Sequence, residues 1–173
     1  MKRSDINPMP EYFGRYINQV EDIELIEAFE NSLKQIDDLD IEKLKRIGNK
    51  VYAADKWTIN SIIQHITDWE RILSYRALVF ARKAGITPQG MDEQILADNS
   101  NADSRNIAEV VEELRLVRLS TKSMFESFDE EILLNKGIVW KDEMSVLAMG
   151  FNIIGHQVHH FKIIEERYFP LDK

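Results

Sequence analysis

The sequence predicts an all-α protein, a four-helix bundle with one long crossover connection. Three observations predict it. Apolar residues recur at intervals of three and four through four long segments, no stretch alternates with the period of a strand, and the connection over 85–103 is long enough to cross a bundle. At 173 residues the chain fits one domain, 1–173, large enough to bury a core without disulfide or metal staples.

Residues 1–20 read as an N-terminal arm. Pro8 and Pro10 keep it irregular, and Tyr12, Phe13, Tyr16, Ile17 and Val20 dock it on the bundle, with one helical turn expected. Residues 21–46 read as the first helix, on Ile26, Phe29, Leu33 and Ile36. Asp40 breaks it and caps a short continuation that ends at Gly48. Thr58 caps the second helix, 59–84, with Ile62, Ile63, Ile66, Trp69, Ile72, Leu73 and Val79 inward.

The crossover 85–103 carries Gly85, Pro88 and Gly90, with a helical turn expected over 92–97; loops of this length in compact domains are often functional. Ser104 is expected to cap the third helix, 105–127, built on Ile107, Val110, Val111, Leu114, Val117, Met124 and Phe125. A short segment 129–134 and a connection through Gly137 and Trp140 lead to the last helix, 146–168, with Ser145 as its cap and Pro170 closing it. Leu147, Phe151, Ile154, Val158 and Phe161 give that helix a second apolar side. The arm or a second subunit must cover it, and a homodimer is expected.

Composition narrows the function. There are no cysteines, so thiolate catalysis, cysteine zinc sites and disulfides are all excluded. A net charge of -8, spread along the chain without a basic stripe, argues against nucleic acid as a partner. No secretory signal and no stretch near the ~20 apolar residues of a membrane span is visible, so no membrane partner and a cytoplasmic location are expected.

The chemistry concentrates in the last helix, where three of four histidines fall within Gly155-His156-Gln157-Val158-His159-His160. His156 and His160 stand one turn apart on a stripe continued by Met149, Ile153, Ile163 and Ile164. Burying two imidazoles costs several kcal/mol in total unless they find partners. A divalent metal is the obvious partner, with His65 as a third ligand from the inward face of the second helix. His159, three after His156, is an alternative to His160 but sits nearer the rim of the stripe. Zinc, nickel and iron(II) all accept neutral imidazole. Three nitrogens leave tetrahedral zinc one open position, the arrangement of catalytic sites. Asp68 and Asn152, each about one turn from a ligand, are candidates to orient the ligand rings. Gln157 cannot serve as a carboxylate base, and Trp57, Trp69 and Trp140 read first as core or covering aromatics.

A wider set of residues resembles the DinB-like superfamily. Lys56-Trp57-Thr58, His65, Asp68-Trp69-Glu70-Arg71, Tyr75-Arg76 and Ala81-Arg82 look like its first signature block. Asn99-Ser100-Asn101, Phe125-Glu126-Ser127, Gly155-His156 through His160 and Glu165-Glu166-Arg167-Tyr168 continue it, so the resemblance spans about residues 12 to 170. It implies a four-helix bundle with one long crossover, commonly a homodimer, in a bacterial cytoplasm. It also implies a divalent metal, usually zinc or nickel, held by one histidine on the second helix and two on the last. By position those are His65, His156 and His160. Relatives of this kind include transferases and isomerases that use low-molecular-weight thiols and proteins described as metal-dependent hydrolases. The expected function is therefore a metal-dependent enzyme acting on a small molecule, with a metal-activated thiol or water. The alternative is a non-catalytic metal-binding bundle for stress response or interaction.

Overall fold

Thr58, Ser145 and Asp40 sit where a side-chain oxygen can accept from an orphan amide at the start of a helix. In the computed structural model all three do so, from Ser61, Ala148 and Lys43 respectively. The structure describes residues 1–86 and 88–172; Thr87, within the expected crossover, and Lys173 lie outside them. The elements in chain order are α1 (Gly14–Ile17), α2 (Leu25–Asp37), α3 (Ile41–Ile47), α4 (Ile59–Ala81), α5 (Glu93–Asp98), α6 (Ile107–Glu126), α7 (Glu130–Leu133), β1 (Lys136–Val139), β2 (Asp142–Ser145) and α8 (Val146–Ile163). A π-helical turn, Ile164–Tyr168, and a 3₁₀ turn holding Pro170 end the last helix.

Helices α2, α4, α6 and α8 form the bundle. Packing runs α2 to α6, α6 to α4, α4 to α8 and α8 back to α2, so α4 and α8 are neighbours. That adjacency brings His65 to the face of His156. The crossover is tied to α4 at both ends. Arg76 Nη2 donates to Gln89 O at 2.9 Å, and Asn60 Nδ2 donates to Ala102 O and Arg105 O at 3.0 and 2.9 Å.

Three sequence expectations change. Ser104 lies in a 3₁₀ turn, and Asn106 caps α6 by accepting from Ala108 N. Helix α4 stops at Ala81, because Lys83 takes a positive φ of 49°. The connection through Gly137 and Trp140 contains a hairpin, pairing Lys136 with Ser145 through Val139 with Asp142. Four-residue strands are too short to show a clear period of two. The two-residue loop lacks the usual Asn-Gly signal, since Trp140 takes its positive φ of 55°. Packing holds the hairpin instead. A Cβ on Gly137 would lie 2.0 Å from the Phe80 ring, so only glycine lets β1 lie on α4.

Helix α8 is buried on every side from Val146 to Gln157. Its second apolar side is covered within the chain: Leu147, Phe151 and Ile154 join one apolar cluster with Ile17, Val20 and Leu25. Val158 and Phe161 remain half-buried. The expectation of a homodimer therefore does not rest on the upper part of this face. Burial of each large side chain here stabilises the fold by about 1.5–3 kcal/mol.

The close seat of the arm depends on Gly155. A Cβ there would stand 2.1 Å from Tyr16 O, backbone of α1 that cannot swing aside. Gly155→Ala is expected to cost about 1–3 kcal/mol by forcing α1 off α8, read as a lower urea midpoint. An unchanged midpoint would show that α1 is not held there.

The core is not one apolar mass. A first cluster holds Phe29, Leu73, Phe125 and Ile154; a second holds Ile36, Ile66, Leu114 and Ile164. Between them, on every bundle helix, lie buried polar residues: Ser32 on α2, Thr67 and Glu70 on α4, Arg118 and Thr121 on α6, His156 and Gln157 on α8. This polar layer crosses the bundle and carries the histidines.

Candidate metal centre

His65 on α4 and His156 and His160 on α8 meet in the polar layer. The Nε2 atoms of His65 and His160 stand 3.2 and 3.1 Å from His156 Nε2, and all three ligand atoms lie within 4.8 Å of one another. Nitrogens bound tetrahedrally at about 2.1 Å to one ion would be about 3.4 Å apart. The spacing thus fits one divalent cation, and three nitrogens facing a common point need a proton or a cation between them. His65 and His156 are 6 and 7 % exposed; His160 is half-buried.

Burial lowers the pKa of all three rings. It takes His65 to about 4 and His160 to about 3, where His65 and His159 add repulsion. His156 is driven well below the usual imidazole value by burial, then by repulsion from His160 and His65. Neutral imidazole at pH 7 leaves a nitrogen lone pair free to ligate.

His159 lies outside this cluster. Its ring stands edge-on to Tyr16 at 5.3 Å, on the wall of a cavity of about 380 Å³ that also touches His65, His160, Trp57 and Glu93. Of the two residues expected to orient the ligands, Asp68 accepts from Gln64 at 3.0 Å and Arg71 at 3.3 Å instead. Asn152 is 2 % exposed and its Oδ1 has no hydrogen-bond partner among the described residues; the residue lines a second cavity, about 570 Å³, that His156 also lines. Gln157 points the other way, donating to Ser32 O at 3.0 Å and Gln35 Oε1 at 3.2 Å.

The histidines therefore stand where two cavities meet, and Arg15, Tyr16 and Glu93 line both. Tyr16 packs edge-on against His156 with ring centroids 5.4 Å apart. Its own pKa is raised, burial outweighing the neighbouring Arg15. Trp57 covers His65 at 4.7 Å, and Trp69 and Trp140 line the larger cavity, so all three tryptophans are walls of the site. Sequence periodicity missed Glu93 and Arg15, which sit on irregular or short elements where no stripe marks an inward side chain. It also missed the pair beneath the site, Arg118 and Glu70, joined by two hydrogen bonds of 2.9 and 2.8 Å. A signal existed: both fall on the core stripes of their helices.

Three comparisons bear on this geometry. No curated protein is similar enough in sequence to match the chain. YfiT from Bacillus subtilis, described as a probable metal-dependent hydrolase with an unusual four-helix bundle topology, has the same fold. It superposes with a TM-score of 0.66 at 14 % identity, over 90 % of this chain and 85 % of that one. The family model of the DinB superfamily matches residues 24–164, which hold all three clustered histidines, and the chain belongs to that superfamily.

Proposed function

We propose that the protein is a metal-dependent enzyme of the hydrolase type, with His65, His156 and His160 as ligands of one divalent ion. The convergence of three neutral Nε2 atoms from two helices, at the junction of two cavities, is the observation that carries this reading. The description of YfiT supports it by analogy. A divalent ion held by three imidazoles supplies Lewis acidity and lowers the pKa of a water or small thiol towards neutrality.

The chain's own residues supply the rest. Trp57 and Tyr16 shield the rings from water, which keeps the imidazoles neutral and able to ligate. Glu93, exposed with its carboxylate 3.5 Å from Trp69 Nε1, is the one acidic residue that lines both cavities among the described residues, and on this reading it takes the proton from the nucleophile. The open cavities favour catalysis over a purely structural ion, which would need no access.

Protein purified without a histidine tag is expected to carry about one divalent ion per chain. His65→Ala and His160→Ala should each weaken binding by at least about 100-fold, and any hydrolysis of small esters or amides should fall with it. Elemental analysis after dialysis against zinc or nickel checks this. A wild-type chain that retains neither metal would overturn the proposal.

A further inference from the structure

Arg76 is 7 % exposed, yet among the described residues no carboxylate comes within ion-pair distance of it. The contrast with Arg118, saturated by Glu70, is direct. Arg76 stands eleven residues after His65, three turns along α4 on the same face, and it lines the cavity that His156 also lines. Nη2 donates to Gln89 O and the guanidinium carbon lies 5.8 Å from the centre of the Trp69 ring, which orients the group; among the described residues no other hydrogen bond occupies its fork. Burial alone lowers its pKa, with no acidic neighbour offsetting the effect. A buried guanidinium without an anion is costly, and a carboxylate or phosphate answers it bidentately.

We propose that this cavity takes a small acid, an apolar or aryl body whose anionic group is held by Arg76. Phe13, Trp69, Leu73, Val139 and Trp140 supply apolar walls for the body, and about 570 Å³ suits a ligand of ten to twenty heavy atoms in order of magnitude. Asn152, whose buried Oδ1 has no partner among the described residues, lines the same space and offers an acceptor to a substrate N–H or O–H. The anionic end at Arg76 leaves the other end beside His156. Which end reacts rests on the metal reading above; anion binding by Arg76 does not.

Tryptophan fluorescence of the untagged full-length protein reads the cavity through Trp69 and Trp140. Benzoate, phenyl phosphate and the neutral benzamide serve as probes, with the metal-loaded protein and again after EDTA. At least one anion should bind about tenfold tighter than benzamide in both forms, a difference near 1.4 kcal/mol. Arg76→Gln should abolish that preference while leaving benzamide binding unchanged, and Arg76→Lys, which lacks the fork, should restore only part of it. Equal binding of all three probes by the wild type would overturn the proposal. So would a preference that survives Arg76→Gln or vanishes with EDTA, which would place the anion on the metal. Should Arg76→Gln fail to fold, the lysine variant and the wild-type comparison without metal decide the matter. A protein that binds anions through Arg76 but holds no metal would sink the proposed hydrolase and leave this inference standing.

Discussion

Glu70→Ala or Arg118→Ala is expected to destabilise the protein by about 3–5 kcal/mol, because each leaves an uncompensated charge in the core. Both side chains are at most 1 % exposed, so water cannot take the place of the lost partner. The pair is also linked to α8. Arg118 Nη1 donates to Ser32 Oγ, Ser32 Oγ donates to Phe29 O, and Ser32 O accepts from Gln157, the residue after His156. Loss of the pair should therefore loosen the histidine cluster as well as the fold. Replacing both residues by leucine and methionine should cost much less than either single change, since well-packed apolar groups need no compensating charge. Urea unfolding of the two single variants and the double variant checks this. Single-variant losses below about 1 kcal/mol would mean that the pair is solvated after all.

Metal-free protein is expected to unfold in mild acid. His65, His156 and His160 are neutral when folded, with pKa values lowered by burial, whereas in the unfolded chain they protonate near the ordinary 6.5. The unfolded state thus binds more protons, and stability rises with pH. It is complete above about pH 6.5 and declines as pH falls towards the folded values, about 4 for His65 and about 3 for His160. Each ring contributes up to about 1.4 kcal/mol per pH unit in that window. Three acting together would consume an ordinary folding free energy of about 5–15 kcal/mol within a few pH units. Urea midpoints of EDTA-treated protein at pH 7.5, 6.0 and 5.0 measure the slope, and His65→Ala should reduce it by about one third. A stability independent of pH across this range would show that the rings are protonated or solvated in the fold.

The helical architecture was legible because it rests on local rules. Asp40, Thr58 and Ser145 cap helices as their side chains dictate, and the apolar spacing of α4 and α6 marks their inner faces. The histidines were legible for the same reason: His156 and His160 share a face of α8, and His65 lies on the inner face of α4. Other features depend on contacts between distant segments. Gly137 lets β1 lie against the Phe80 ring, and Trp140 takes a positive φ in the turn that follows that strand. Tyr16 reaches His156 because Gly155 admits the backbone of α1. Asp68 fits the sequence criterion for orienting His65, but Gln64 and Arg71 claim its carboxylate.

By itself, then, the sequence determined the four long helices, the apolar faces they turn inward, and that His156 and His160 share a face of one helix while His65 lies on the inner face of another. Hydrophobic periodicity and capping act within a few residues and need no knowledge of the fold. Only the tertiary structure decided that α4 and α8 are neighbours, that Arg118 meets Glu70 while Arg76 meets no carboxylate among the described residues, and that Glu93 lines both cavities of the site. Charge pairing inside a protein is settled by which helices touch, and residues 48 apart in the chain, like Glu70 and Arg118, become partners only when the bundle closes.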